Sequence, residues 1–235
     1  MSGGVGPTCD INLPKEKSIS PQKLGLGLGF LNFRHLNSLA IMLITSATGM
    51  ITLQDSGLVI FSTIYIYFLS KFSFPKQSNT QEQPVFNQKS KILSTYVLFA
   101  AILGLFLPIL YIFEGILEGD KEEIKAAVPH VFLLASQVFM EGVSASSQFS
   151  LPIRVFVPVF YNSVRMVTLV EWFKSEFFRV GEIGSVRRMY VGRGLSVANL
   201  GLWGFKLFGF LLPVYLPKAL QRYYGGGNTS DSKKD

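Results

Sequence analysis

The chain has 235 residues, of which 49% are apolar and 16% charged, and its net charge is +7. Cys9 is its one cysteine, so an intrachain disulfide is excluded, and two histidines complete no cysteine-based zinc pattern. The basic balance does not point to nucleic acid, because lysines and arginines flank apolar runs and form no basic stripe with interleaved stacking aromatics.

Residues 1–33 read as a flexible cytoplasmic tail. Met1–Pro21 is polar and rich in Gly and Pro, with no apolar centre, so no signal peptide is expected. Asp10 and Glu16, with no arginine nearby, make a poor transit peptide. Gly25, Gly27 and Gly29 alternate with leucines, and neither the spacing nor a preceding strand fits a dinucleotide fingerprint.

A membrane domain is expected over 34–216. Its first span is 36–53, an uncharged run closed by a tight polar turn, Gln54-Asp55-Ser56-Gly57. The second is 58–74, with Lys71 reaching outward. Pro75 to Ser90 is polar and reads as a loop. The third span, 92–113, carries the strongest signal: 22 uncharged residues between Lys91 and Glu114, about the length that crosses a ~30 Å hydrocarbon layer. Pro108 is expected to kink it. Glu114 to Lys125 is an acidic connector.

The fourth span, 126–147, is less apolar and carries His130, Gln137 and Glu141. His130 follows Pro129 and reads as interfacial. Two further segments, 153–170 and 195–216, are apolar but interrupted by Arg154, Arg165 and Lys206. Between them, 171–193 is charged and partly amphipathic, with Trp172, Phe177 and Phe178 among Lys174, Glu176 and Arg179. Residues 217–235 read as a disordered tail.

Lys and Arg bias places the amino terminus and the 75–91 loop on one, cytoplasmic, face. The carboxy-terminal half breaks this bias if 153–170 spans, because Lys174, Arg179, Arg187, Arg188 and Arg193 then fall outside. A central arginine costs about 2.5–3.5 kcal/mol on insertion scales. Two readings stand: four spans plus an interfacial amphipathic segment, or six ordinary spans. The fold class is therefore an all-α integral membrane protein, a bundle of four to six transmembrane helices with an interfacial amphipathic segment.

Intramembrane polar residues mark the place to seek function. Gln137 and Glu141 share a helix face, as do Arg154, Tyr161 and Arg165, and as do Asn199, Trp203 and Lys206. Glu141, Gln137, Arg154, Arg165 and Lys206 form the candidate polar core, read either as a solute or proton pathway or as an ion pair that fixes packing. Gly115 and Gly119 permit close helix approach. Arg187, Arg188 and Arg193 form a juxtamembrane group suited to anionic lipids or to orientation signalling. Asn228-Thr229-Ser230 is a glycosylation sequon. No nucleophile elbow, phosphate loop or histidine–carboxylate metal pattern appears, so no catalytic residue, cofactor, metal or enzymatic activity is expected.

Met1-Ser2-Gly3-Gly4-Val5-Gly6-Pro7-Thr8-Cys9-Asp10-Ile11, then Leu13-Pro14-Lys15, together with Phe33-Arg34-His35-Leu36-Asn37-Ser38-Leu39-Ala40 and Tyr65-Ile66-Tyr67-Phe68-Leu69-Ser70-Lys71, resembles a plant family of uncharacterised multi-span transmembrane proteins known by a domain of unknown function. The resemblance implies a membrane protein and supplies no activity. Phe160-Tyr161-x-x-Val164-Arg165 before an amphipathic stretch is similar in layout to four-span endoplasmic-reticulum proteins that associate with reticulons.

The expected function is a non-enzymatic membrane scaffold or membrane-shaping protein whose 171–194 segment lies on the bilayer. The alternative is a small solute or proton carrier or channel centred on Glu141 and Arg165. The expected partner is the lipid bilayer, and homo- or hetero-oligomers stay open. The expected location is the endomembrane system, the endoplasmic reticulum first and the plastid envelope second.

Overall fold

The structure, a computed structural model, describes residues 33–47, 49–76, 91–145, 148–178 and 186–225. The tail up to residue 32, loop residues 77–90 and residues 226–235, including the sequon, lie outside them. The described residues contain helix and no strand. Helix α1 is Phe33–Ala47 and α2 is Leu53–Phe68, prolonged by a π-helical turn, Leu69–Ser73. Helix α3, Lys91–Ala101, passes through a second π-helical turn, Ile102–Phe106, into α4, Leu107–Glu118. The short α5, Lys121–Ile124, precedes α6, Val128–Ser144. Then come α7, Leu151–Phe178, and α8, Val186–Gly204, which runs through a π-helical stretch, Phe205–Tyr215, into α9, Leu216–Gly225.

Side-chain contacts and the short connections between helices set the direction of the passes. Ser150 Oγ donates to the Phe74 carbonyl at 2.8 Å, and Tyr223 Oη donates to that of Pro75 at 2.9 Å. The end of α2, the start of α7 and the end of α9 therefore meet at one end of the unit. At the other end, Glu118 meets Arg188, and Tyr111 Oη donates to Glu176 at 2.8 Å. The end of α4, the end of α7 and the start of α8 meet there. The described helices thus make six antiparallel passes.

Four passes are long and apolar enough to cross a membrane: Leu53–Ser73, Thr95–Glu118, Leu151–Phe178 and Val186–Gly225. The other two are shorter. Helix α1 has 15 residues and α6 has 17, about 22 and 25 Å at 1.5 Å per residue. These two pack along each other, and α6 also contacts α2, α4 and α7. Every residue from His130 to Gln137 is buried, so α6 is the hub of the unit. A helix enclosed by protein needs no uniformly apolar surface, which accounts for the weaker apolar signal of 126–147.

Several expected boundaries shift. Gln54–Gly57 is not the turn. Thr52 caps α2: its Oγ1 accepts from the Asp55 N–H at 3.1 Å, and the Asp55 carboxylate accepts from the Thr52 N–H at 3.3 Å. This reciprocal pair satisfies two helix-end donors and draws 53–57 into the first turn. The chain reverses instead around Gly49, whose φ of 70° lies in the left-handed region that glycine enters at no steric cost. Segment 153–170 does not turn back, because α7 runs unbroken for 28 residues with Pro158 inside it. Residues 171–178 complete that helix, and 186–193 begin the next. Segment 195–216 is likewise not a shallow hairpin, and its helix continues to Gly225, so 217–225 is ordered helix and not a disordered tail.

Candidate functional site

A set of buried polar side chains lies within the apolar core, while large apolar side chains cover much of the exterior. Phe205, Phe208 and Leu117 are 70%, 65% and 72% exposed, whereas Arg165 is fully buried. Asn162, Asn199, His130 and Gln137 are buried around it.

Arg165 projects from the middle of α7. Its Nη2 donates to Asn162 Oδ1, one turn earlier on the same helix. Its guanidinium carbon lies 3.9 Å from the centroid of the Trp203 ring, brought by α8, a close cation–π contact. Nε and Nη1 find no acceptor among the described residues. A buried guanidinium with two such N–H groups carries a desolvation cost that its present neighbours do not offset. Trp203 also receives Lys206, whose Nζ is 4.7 Å from the ring centroid. The indole therefore collects two of the cations that the sequence singles out.

Trp203 is held in turn. Its Nε1 donates to Asn199 Oδ1 at 3.1 Å, and Asn199 Nδ2 donates to the carbonyls of Leu195 and Leu103, each at 3.0 Å. His130 Nε2 donates to the Gly104 carbonyl at 3.2 Å. Leu103 and Gly104 lie in the π-helical turn before α4. Pro108 has no N–H, so it can serve neither the carbonyl five residues back nor the one four back. Two side chains from other helices take up these carbonyls, the arrangement by which a proline-bearing helix survives inside a membrane. Gly104 also admits Trp203 so closely that a Cβ there would stand 2.6 Å from the indole.

Glu141 is half-buried, and its Oε1 accepts from Gln137 Nε2 at 2.7 Å. It is the carboxylate whose field reaches Arg165. The structure thus brings Arg165 and Lys206 together at Trp203, and Gln137 and Glu141 together on α6. Arg154 lies near the start of α7, away from Arg165, where its Nε donates to the Phe149 carbonyl at 3.2 Å and its charge and that of Glu141 both act on Tyr215.

A second polar cluster closes the opposite end. Arg188, 1% exposed, makes ion pairs with Glu118 at 3.0 Å and Asp120 at 3.7 Å, and Arg187 pairs with Glu114. Arg193 Nε donates to the Glu176 carbonyl at 3.1 Å. The Glu176 carboxylate accepts from Tyr111 Oη and, at 2.9 Å, from Trp172 Nε1. Gly115 and Gly192 let Arg188 and Glu176 approach.

Two sequence readings are corrected here. Trp172 is fully buried in contact with Tyr111 and His130, so it is not an interfacial aromatic. His130 is fully buried and is not interfacial either. The signal for His130 was present in the spacing of Gly104 and Pro108, which announces an acceptor needing a donor. Asn162 escaped notice because a neutral amide in an apolar run draws no attention until the arginine three residues on is buried. Among the described residues, no group of three His, Cys, Asp or Glu side chains is placed to hold a metal ion.

A family model described as a domain of unknown function, DUF7733, matches residues 31–224. The chain belongs to this family. Neither the curated proteins nor the solved structures compared with it contain a match. The DUF7733 match spans all six passes and both polar clusters, so both sites belong to the family domain and not to an appended segment.

Proposed function

We propose that this DUF7733 protein is a non-enzymatic multi-pass membrane protein whose interior recognises a small anion, as a carrier or channel does. The observation that carries the reading is Arg165: a fully buried cation with Nε and Nη1 directed to no acceptor among the described residues. The apolar exterior supports residence in lipid. The setting supports a solute site, since intramembrane charges face the protein interior and mark pathways, and broken helices frame such sites in carriers. Glu141 supplies a nearby opposite charge that an incoming anion would displace electrostatically.

The test is anion flux in proteoliposomes, with chloride, phosphate and a small dicarboxylate as probes. Wild type should carry at least one. Arg165→Met and Glu141→Gln should assemble yet lose that flux. Retained flux in both variants, or no flux of any probe by wild type, overturns the reading.

The membrane-shaping reading keeps one observation: Phe177 and Phe178 are exposed at the end of α7, near Lys174. It loses Trp172 as an anchor. Phe177→Ser with Phe178→Ser should then flatten membrane deformation without touching flux. The endomembrane location, with the endoplasmic reticulum first, belongs to the same proposal and rests on the sequence alone.

A further inference from the structure

Glu141 links the buried cation to one end of the unit. It lies near the end of α6 and is half-buried. Its carboxylate acts on Arg165, and together with Arg154 it acts on Tyr215 of the last π-helical stretch. That end is the basic end, where α2 and α9 finish and α7 starts, with Lys71, Lys76, Lys218 and Arg222. Arg165 is fully buried. A half-buried carboxylate can exchange a proton with water, whereas a guanidinium stays protonated.

We propose that the anion site at Arg165 is proton-coupled: each anion crosses together with one proton, which Glu141 carries. This coupling rests on the anion site proposed above and adds a second substrate, the proton. Charge count is the first support. In the empty site the Arg165 cation stands against the Glu141 carboxylate. An anion seated at Arg165 adds a negative charge, and enclosed charge without a counterion is costly. One proton restores the count. The carboxylate takes it from water on one side and stays a neutral carboxyl while the anion is held. It returns the proton to water on the other side once the anion has left. Anion and proton then raise each other's affinity by the same factor.

Gln137 is the second support. Helices α6 and α7 run antiparallel, with His130 against Trp172 and Met140 in one cluster with Val157 and Tyr161, so Gln137 is level with Asn162 and Arg165. Its Nε2 donates to Glu141 Oε1 at 2.7 Å, which suits a carboxylate, an acceptor only. Its own Oε1 is buried and has no donor among the described residues. A protonated Glu141 becomes a donor and needs such an acceptor. A half-turn of the Gln137 amide presents Oε1 in place of Nε2, so one side chain serves both protonation states. An ion pair that only fixes packing has no use for the spare acceptor.

Other titratable groups surround the pair. Tyr96 of α3 and His130 of α6 are within the field of Arg165. Of the other helices packed on α6, α1 begins with Arg34 and His35, and α2 holds Asp55 in its cap. The α4 acids Glu114 and Glu118 are paired with Arg187 and Arg188. Substituting Glu141 alone separates its proton from theirs.

The test uses the purified full chain in proteoliposomes with labelled chloride, oxalate and phosphate; the first two bring no proton of their own near neutral pH. An inward proton gradient of about one pH unit should concentrate chloride about ten-fold and drive oxalate uptake likewise, and a protonophore should abolish the gain. Glu141→Gln, neutral at every pH, should lose net uptake of each carried probe yet keep exchange of internal for external anion, because only the empty site needs the carboxylate. Arg165→Met should lose both. Glu122→Gln, an exposed acid at the opposite end, should match wild type. If phosphate alone is carried, the exchange measurement decides. No uptake of any probe by wild type removes the anion site and its coupling together. Uptake that ignores the proton gradient, or a monodisperse Glu141→Gln protein that loses exchange or keeps gradient-driven uptake, overturns the coupling and leaves the anion site standing. The gradient measurement needs wild type alone, so it stands even where a variant fails to assemble.

Discussion

His130 Nε2 donates to the carbonyl of Gly104, the acceptor that Pro108 leaves without a backbone donor four residues later. The proline, the glycine and the histidine therefore work as one unit across two helices. His130→Ala should destabilise the protein by about 1–3 kcal/mol, the usual cost of stranding a buried polar group. Pro108→Ala restores an N–H to the same helix, so the double variant should lose less than the sum of the two single losses. Thermal unfolding of the four proteins in one detergent measures the coupling.

Gly192 and Gly115 carry close approaches at the end that holds Arg188, and Gly201 carries none. A Cβ at Gly192 would stand 2.5 Å from the Glu176 carboxylate, and one at Gly115 would meet the Arg188 guanidinium. Gly192→Ala and Gly115→Ala should each cost about 1–3 kcal/mol, as overpacking does. Nothing lies within 4 Å of a Cβ at Gly201, in the interior of α8. Gly201→Ala should be neutral or stabilising by up to about 1 kcal/mol. Melting temperatures that fail to separate these variants would contradict the packing described.

The paired arginines 187 and 188 should behave oppositely. Arg188 is 1% exposed and answers Glu118 and Asp120, whose side chains are 41% and 38% exposed, so Arg188→Gln should cost about 1–3 kcal/mol, through lost charge-assisted hydrogen bonds and the lost packing of its buried stem. The Arg187 side chain is 72% exposed against Glu114, and Arg187→Gln should cost under about 1 kcal/mol. Raising the salt concentration should narrow the Arg187 effect and leave the Arg188 effect almost unchanged. Chemical or thermal unfolding at two ionic strengths checks both.

The arrangement of the passes predicts which sites glycosylation reaches. Segment 216–225 ends where Phe74 and Ser150 lie, at the basic end, which the positive-inside bias places in the cytoplasm. In microsomes, Asn228 should stay unmodified, and a sequon engineered at Lys121 should be glycosylated. Modification of Asn228 would invert this orientation.

Much of the architecture was legible in apolar run length. The 92–113 run found its helix because its exterior residues, such as Phe106 and Phe113, face outward and must be apolar throughout. In the carboxy-terminal half charge bias and helix packing disagree, for a physical reason. Charge bias counts Lys and Arg in loops and takes no account of where their counterions come from. Arg187 and Arg188 are matched by Glu114, Glu118 and Asp120 from a connector more than sixty residues away. Arg165 was read as an obstacle to a span on the same logic. Its stacking on Trp203 and its bond to Asn162 depend on tertiary packing that no local window contains. The polar core was partly legible: helical spacing placed Gln137 with Glu141, and Trp203 with Lys206. It could not place Arg154 apart from Arg165, because residues that share one helix face can still lie at different depths.

The most direct test is the sidedness of two single cysteines in sealed membrane vesicles. With Cys9 replaced by serine, Lys76→Cys reports the basic end and Lys121→Cys the end that holds Arg188. A membrane-impermeant maleimide should label one of them from outside and reach the other only after detergent is added. Labelling of both from the same side, or release of the protein from the vesicles by an alkaline wash, would contradict the six antiparallel passes and the buried Arg165 interior built upon them.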